Sequence, residues 1–372
     1  MAVNQQQIEA ACNFWYDKSA GLADNWSCVS PFLRALMGRF DLKRGVIQPG
    51  DMVAGGKFVR EFFEYDYGNG GGFGPKSEFV QSNKDTFNGA DFVKGGANAS
   101  CTIGLDEKIA NATDDRYIQL HVQKLDNTRK TIQHIMAHLV YLNRTNAQLF
   151  SIANWPGQDT DLGAFFDGAQ SLFNINARTA FPHALAATSV KYGEIAESEI
   201  GAWKPNFTAN ANTVEISDAL LMTMQGEANP SGSPDEELDY FFMDRVLVNS
   251  MRAQVFNLMR LPPPNNEYMA KVGFKSIVWN GIPLVYDPYI AKALYDATYC
   301  TVAQAKTYVF GINTKHVRLR TFKDYAFKLM PWEHKQGTGG NNETSGIIYQ
   351  GVITCNNRTA AGVCHNNIIA AT

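Results

Sequence analysis

Residues 279–288 have the sequence Trp-Asn-Gly-Ile-Pro-Leu-Val-Tyr-Asp-Pro, which predicts a turn followed by a short apolar strand. Gly281 turns the chain, and Pro283 stiffens a strand edge, where the missing N–H of proline is not needed for pairing. Two further stretches are rich in β-branched and aromatic residues: Thr-Tyr-Val-Phe-Gly-Ile-Asn-Thr-Lys-His-Val-Arg-Leu at 307–319 and Tyr-Gln-Gly-Val-Ile-Thr-Cys-Asn-Asn-Arg at 349–358. The C-terminal part therefore predicts mainly β structure, with strands at 277–279, 282–286, 307–310, 317–321 and 347–354.

The strongest helix signal lies before this β region, at 126–155. Residues 126–128 offer N-cap side chains, and Pro156 ends the run. Apolar residues recur at helical spacing between them, with a polar break at 143–146: Ile132, Ile135, Met136, Leu139, Leu142, Leu149 and Ile152. Such a helix is long for a globular domain, and we expect it to act as a structural spine.

The remaining elements complete a mixed pattern. Shorter helices are predicted at 31–37, 161–175, 215–226 and 245–259, and a strand at 239–243. The helix at 215–226 begins near Ser217 and Asp218, which are suitable N-terminal residues. No internal repeat is visible. The sequence therefore predicts an α+β protein.

Residues 45–108 differ in composition from the rest of the chain. A β-prone aromatic stretch at 57–67 leads into the glycine-rich segment 68–74, and another small-residue stretch follows at 89–100. A hairpin of this kind cannot bury a core of its own, and isolated hairpins are marginal in water. The segment is therefore expected either to be disordered or to lie across another surface, such as that of a neighbouring subunit, and its strand content favours the second.

Composition excludes several classes of protein. The chain has 372 residues with 33 basic and 36 acidic side chains, and 19% of the residues are charged. A soluble protein averages about 25% charged residues, so neighbouring subunits are expected to cover part of the surface, although an ordinary neutral enzyme fits equally well. The net charge of −3 argues against a basic nucleic-acid binder. We expect neither a transmembrane helix nor a secretion signal.

The six cysteines are scattered, without a C-x-x-C pair, and we expect them to be free thiols: Cys12, Cys28, Cys101, Cys300, Cys355 and Cys364. Cys355 and Cys364 are expected to be small buried hydrophobes.

No motif predicts catalytic, cofactor-binding or metal-binding residues. His134 and His138 lie one helical turn apart, but Ile135 stands where a zinc protease needs glutamate. The glycine-rich segment 68–74 fits neither a dinucleotide nor a P-loop pattern, and no G-x-S-x-G motif occurs. The acidic groups at 114–115 and 235–237 are predicted to be solvated turns. We therefore expect a non-enzymatic protein without a cofactor.

The three C-terminal stretches, in this order, resemble the pattern of tailed-bacteriophage major capsid proteins, whose fold is shared with encapsulins and the herpesvirus capsid floor. In that family a G-x-P-v-v-x-D strand precedes a v-L-N-T-k-y-l-x-L strand, and a later strand ends in n-l-x-c-x-N-R. This sequence departs from the pattern in two places, at Phe310-Gly-Ile and at Pro331-Trp332.

The resemblance implies a layout for the whole chain. Residues 1–44 would form an N-terminal arm and 45–108 an extended hairpin called the E-loop. Residues 109–155 would form the peripheral (P) domain with its spine helix at 126–155. Residues 156–306 would form the axial (A) domain, with a central β-sheet and flanking helices. Residues 307–362 would return to the P domain, and 363–372 would be a tail.

The resemblance also implies a function. The chain would self-assemble, as hexamers and pentamers, into the icosahedral head of a tailed phage, enclosing double-stranded DNA without sequence-specific binding. Implied partners are a portal, a scaffolding protein and a possible decoration protein, with no membrane; synthesis would take place in the host cytoplasm. Two alternatives remain open: an encapsulin-like compartment and an intracellular enzyme with an unrecognised site.

Overall fold

The structure is a computed structural model. It describes residues 30–36, 52–66, 84–110, 114–141, 172, 191–196, 199–201, 203–209, 216–229, 232, 236–258, 277–294, 303, 306–335 and 342–365. The chain divides into two compact units. Unit 1 comprises Met1–Lys57, Lys94–Phe166 and Leu319–Val352, and unit 2 comprises Phe58–Val93, Asp167–Arg318 and Ile353–Thr372.

The helices in the described ranges are α1 Pro31–Leu36, α2 Leu105–Ala110, α3 Asp114–Leu139, α4 Asp218–Ala228, α5 Arg245–Leu258 and α6 Tyr289–Leu294. The strands are β1 Met52–Val53, β2 Phe58–Glu64, β3 Phe87–Val93, β4 Gly95–Ile103, β5 Lys191–Tyr192, β6 Ile195–Ala196, β7 Asn206–Ala209, β8 Tyr240–Met243, β9 Ile277–Trp279, β10 Ile282–Tyr286, β11 Val309–Ile312, β12 Val317–Phe322, β13 Lys328–Leu329, β14 Glu333–Lys335, β15 Asn342–Cys355 and β16 Ala361–His365.

The sheet of unit 1 is built around β15. Strand β4 runs antiparallel to β15 over nine residue pairs, from Glu343 opposite Ile103 to Gly351 opposite Gly95. Strands β1, β12, β13 and β14 complete this sheet of six strands. Helix α3 packs against β4, where Ile103, Leu125 and Trp332 form a buried apolar cluster.

A charged cluster lies beside this apolar cluster. The Glu343 carboxylate accepts from Lys108 Nζ at 2.9 Å and lies 3.1 Å from Nε2 of His121, whose side chain is fully buried. The His121 ring also meets Trp332 edge to face, at a centroid distance of 4.5 Å. These contacts connect the first residues of β15 to α2 and α3.

The sheet of unit 2 has the strand order β7-β16-β11-β8-β10-β9. Helices α4 and α5 contribute to the core of this unit. Its buried residues are Ile216, Leu221, Met224, Ala228, Leu238, Phe241, Met243, Leu247, Met251, Trp279, Ile282, Leu284, Val309 and Cys364.

The turn predicted at Gly281 is present between β9 and β10. Asn280 and Gly281 both have positive φ, 46° and 86°, as a two-residue hairpin turn requires. Pro283 pairs with Val278 of β9, whereas the pairing of β10 with β8 begins at Leu284. The missing N–H of Pro283 therefore interrupts no hydrogen bond to β8, although β10 lies inside the sheet.

The predicted α+β class is confirmed. The helices predicted at 31–37, 215–226 and 245–259 and the strand at 239–243 are found within three residues of their predicted bounds, and Ser217 Oγ caps α4 by accepting from Leu220 N. Each predicted C-terminal strand is also found, although β15 begins five residues earlier than predicted and β16 continues through His365, into the segment predicted as a tail.

The predicted bounds of the spine helix are wrong. Helix α3 begins at Asp114, not near 126, and ends at Leu139. Side chains of Asp126, Asn127 and Thr128 resemble an N-cap, but they lie in mid-helix, where Thr128 Oγ1 donates to the Lys124 carbonyl four residues back, at 2.8 Å. Residues 142–155, most of the predicted helix at 161–175, and the glycine-rich segment 68–74 lie outside the described residues.

Candidate assembly surface

The hairpin of β2 and β3 has two distinct faces. The strands pair antiparallel from Phe58 opposite Val93 to Glu64 opposite Phe87, and Tyr65 N donates to the Thr86 carbonyl at 3.0 Å beyond them. Because successive side chains of a strand point to opposite faces, each strand contributes to both. We call them the inner face and the outer face.

The inner face is buried within unit 2. The Phe63 ring stacks on Trp203 with centroids 4.2 Å apart, and the Phe92 ring meets Tyr192 edge to face at 5.0 Å. Tyr192 and Trp203 form what we call the aromatic seat. Ala90 on the same face is also fully buried. The expectation that this hairpin needs a neighbouring subunit for burial is therefore wrong for its inner face.

The outer face is exposed and aromatic. Phe62 and Phe87 have 71% and 69% of their surface exposed, and Phe58 is exposed on the same face. Phe62 lies opposite Gly89, two residues from Phe87 on the partner strand, so the two rings are diagonal neighbours. Clustered apolar side chains of this kind mark interaction surfaces more often than single exposed residues do.

An ion pair crosses the outer face between the aromatic residues. Arg60 Nε donates to Asp91 Oδ1 at 2.6 Å across the two strands. This hydrogen bond, with the positive charge behind it, holds the pKa of the Asp91 carboxyl below its usual value. A second pair, Lys84 with Asp66 at 2.8 Å, lies just beyond the paired residues. The hairpin thus carries charge-paired positions beside its apolar ones.

The other large apolar side chains exposed in the described part of the chain lie singly on different elements. They are Ile109, Met222, Tyr286 and Tyr325. Only the outer face brings several such residues together within the described ranges.

The described residues give no positive indication of a catalytic or metal site. His134 is exposed and His138 is half-buried on α3. No three His, Cys, Asp or Glu residues within the described ranges are placed to share a metal ion. No helix in those ranges is long and apolar enough to cross a membrane. An open polar cleft of about 390 Å³ lies in unit 2, lined by Tyr65, Glu236, His316, Asn356 and Thr359 among others.

The three described cysteines, Cys101, Cys355 and Cys364, are free thiols. Cys355 and Cys364 are fully buried, which confirms their prediction as small core residues. Burial raises the pKa of the Cys355 thiol to about 12, so it remains protonated at physiological pH.

The aromatic seat was not anticipated from the sequence. Tyr192 and Trp203 lie about a hundred residues beyond the hairpin along the chain, so no local periodicity connects them. One signal was available within the hairpin itself. Phe58, Phe62 and Glu64 alternate with Val59, Glu61 and Phe63, and this pattern allows two faces with different partners.

Comparison with known proteins supports a specific fold. No family model matches the sequence, and no curated protein matches it either. Among solved structures, the Cyanophage A-1(L) capsid asymmetric unit matches with a TM-score of 0.59 at 12% sequence identity, over 91% of this chain and 92% of that one.

Two more distant structures are also similar. The SrpI encapsulin from Synechococcus elongatus PCC 7942 has a TM-score of 0.47 and 9% identity, over 85% of this chain and 84% of that one. The capsid of a native GTA particle has a TM-score of 0.47 and 9% identity, over 89% of both chains. The conclusion about architecture rests on the cyanophage capsid subunit: the chain has the fold of tailed-bacteriophage major capsid proteins.

Proposed function

We propose that the chain is a major capsid protein that self-assembles into the icosahedral head of a tailed phage, as hexamers and pentamers around double-stranded DNA. The observation that carries this proposal is the likeness to a phage capsid subunit over about nine-tenths of both chains. In this role the protein is structural and non-enzymatic, and its place is the virion.

The outer face supports the proposal. A closed shell needs heterologous contacts, in which one patch of a subunit binds a different patch of the next. Stable contacts commonly bury about 1,200–2,000 Å². The aromatic outer face is suited to the centre of such a contact, since aromatic residues are enriched there.

The low charge of the chain supports DNA enclosure. The net charge of −3 gives no strong general attraction to phosphates, which would otherwise oppose packaging and release. The partners that go with this role are a portal, a scaffolding protein and a possible decoration protein, and no membrane is required.

The test is assembly of the purified chain, measured by sedimentation velocity and negative-stain microscopy. The wild type should form shell-sized particles. The double variant Phe62→Ser/Phe87→Ser should keep its circular dichroism spectrum but sediment as small species. Met222→Ser changes an exposed apolar residue of α4 and serves as the matched control, which should assemble normally. Full-sized particles from the double variant would contradict the role of the outer face.

The alternatives give different outcomes in the same experiment. A chain that elutes only as a 41.2 kDa monomer or small oligomer, alone and with co-expressed phage proteins, would favour an enzyme with an unrecognised site. Particles that enclose a co-purified protein instead of packaging DNA would favour an encapsulin-like compartment.

A further inference from the structure

The hairpin is fastened to its own unit along both strands. On β3, Asp91 N donates to the Gly193 carbonyl at 2.9 Å. On β2, Glu61 Oε1 accepts from Thr354 Oγ1 at 3.0 Å. Gly193 has a φ of +63°, and a Cβ there would lie 2.7 Å from that of Ala90. The inner face of the hairpin and the turn around Gly193 are therefore in close contact, and only glycine is suited to position 193.

One buried cation contacts both residues of the aromatic seat. Arg358 is 1% exposed, and its guanidinium lies 5.1 Å from the centroid of the Tyr192 ring. Its Nη1 donates to the Trp203 carbonyl at 3.2 Å and its Nε to the Leu172 carbonyl at 2.8 Å. Trp203 Nε1 in turn donates to the Tyr192 carbonyl at 2.9 Å. Arg358 thus contacts the backbone or ring of each seat residue.

The guanidinium is suited to this position for a geometric reason. It is planar and presents several N–H donors in a fixed arrangement, so it can bind two carbonyls and lie over a ring at once. Lysine has one compact ammonium group and cannot satisfy these three directions together. The 3₁₀ turn Arg358–Ala360 holds the backbone in place, with Asn357 Oδ1 accepting from Thr359 N at 3.2 Å.

The orientation of the inner face determines that of the outer face. Side chains alternate along both strands, so fixing Phe63 and Phe92 in the seat leaves Phe62 and Phe87 pointing away from it. A two-stranded hairpin is marginally stable alone. Its direction must therefore come from the surface on which it lies, which here is the seat.

We propose that Arg358 is a positioning residue for assembly. It holds Tyr192 and Trp203, these hold Phe63 and Phe92, and the hairpin consequently presents its aromatic outer face in one orientation before any neighbour binds. Arg358 does not itself contact a neighbouring subunit in this scheme. The effect of Arg358 on assembly rests on the proposed shell function, whereas its effect on the orientation of the hairpin does not.

The experiment compares Arg358→Met with Leu247→Ala. Leu247 is fully buried in the apolar core of the same unit, outside the aromatic seat. Its truncation should therefore lower stability without altering the contacts of the hairpin. Both variants are studied at temperatures where the folded fraction, measured by circular dichroism, is equal. Two quantities are measured: hydrogen exchange at the amides of β2 and β3 in unassembled subunits, and the yield of particles by sedimentation velocity.

Arg358→Met should raise exchange in the hairpin by about tenfold or more, because local opening no longer requires global unfolding. Exchange in β8 and β11 should stay at the level of Leu247→Ala. Particle yield should fall well below that of Leu247→Ala. If the planar guanidinium is required, Arg358→Lys should behave like Arg358→Met. If only the positive charge were required, Arg358→Lys should behave like the wild type.

Equal hairpin exchange and equal particle yield in Arg358→Met and Leu247→Ala would overturn the inference. If Arg358→Met does not fold, Phe63→Leu takes its place, since it keeps apolar burial and removes the stack on Trp203; the same equality would again overturn it. Failure of the wild type itself to assemble would count against the proposed function instead, and hydrogen exchange would still decide whether Arg358 orders the hairpin.

Discussion

The two six-stranded sheets of this protein are stabilised by different kinds of contact. The sheet of unit 2 is covered by large apolar side chains, such as Phe241, Leu284 and Val309. In the sheet of unit 1, the β4–β15 pair has glycine at one end of its register, where Gly351 lies opposite Gly95, and a charged cluster at the other end, at Glu343. The sheet of unit 2 depends on the volume of its buried side chains. The β4–β15 pair of unit 1 depends on close backbone approach and a few polar contacts. Substitutions should therefore affect the two sheets in different ways.

The largest loss of stability is expected in unit 2. Phe241→Ala removes a fully buried ring that meets Trp279 edge to face at 5.9 Å. The free energy of unfolding should fall by about 3–5 kcal/mol, measured by urea denaturation of unassembled subunits. Met222→Ala, at an exposed position, should change it by less than about 0.5 kcal/mol. If Phe241→Ala lowered the free energy of unfolding by less than Glu343→Ala does, the contrast between the two sheets would be wrong.

The second effect tests the charged cluster of unit 1. Glu343→Ala removes the acceptor of Lys108 and the partner of His121, and we expect a loss of about 1.5–3 kcal/mol in urea denaturation. Glu107→Ala is the control, because its contact with Lys124, at 2.7 Å, is much more exposed. Such a pair contributes about 0–1 kcal/mol. Equal losses in the two variants would show that the cluster does not depend on burial.

The third effect tests close backbone approach elsewhere in the sheet of unit 1, between β15 and its other neighbour β12. A Cβ at Gly351 would lie 2.6 Å from the Tyr349 hydroxyl and 2.8 Å from the Arg320 carbonyl oxygen. Gly351→Ala should destabilise the protein by about 1–3 kcal/mol, because the backbone cannot move aside. At Gly201, where no atom lies within 4 Å of the added Cβ, alanine should be nearly neutral. A neutral Gly351→Ala in thermal melts would mean that the strands separate easily.

The smallest effect has the opposite sign. Gly226 lies in α4 with open space around its Cβ position. Gly226→Ala should raise the free energy of unfolding by about 0.4–1 kcal/mol, because alanine reduces the freedom of the unfolded chain and favours the helix. The measurement is a rise in the thermal midpoint, and an unchanged or lower midpoint would contradict this prediction.

The same contrast explains what could be predicted from the sequence. Strands β8, β10 and β11 were predicted because their buried side chains form short apolar runs between turn residues. Strand β4, with the sequence Gly-Gly-Ala-Asn-Ala-Ser-Cys-Thr-Ile, has little local β-propensity, and its composition predicts only a stretch of small residues. This segment is a strand because it pairs with β15, and the close pairing requires small residues.

The candidate site shows a similar limit. The resemblance of the C-terminal stretches correctly identified the fold, and the hairpin was found as a two-stranded element. In the sequence, Arg358 is only the last residue of a motif, and no pattern indicates a role for Trp203. Their contact with the hairpin depends on residues far apart in the chain. The bounds of α3 were missed for a local reason, since Asp, Asn and Thr in mid-helix resemble a cap.

The pairing of β4 with β15 also has a consequence for the timing of folding during synthesis. Thr102 and Thr344 face each other across these strands although they are 242 residues apart in the chain. At a translation rate of about 5–20 residues per second, β4 leaves the ribosome roughly 12–48 seconds before its partner exists. During that interval the hydrogen-bonding groups of β4 are matched equally well by the β15 of another copy whose own β4 has not yet paired with it. The rate of translation and the local concentration of completed chains therefore decide how often a strand exchanges between molecules instead of pairing within one.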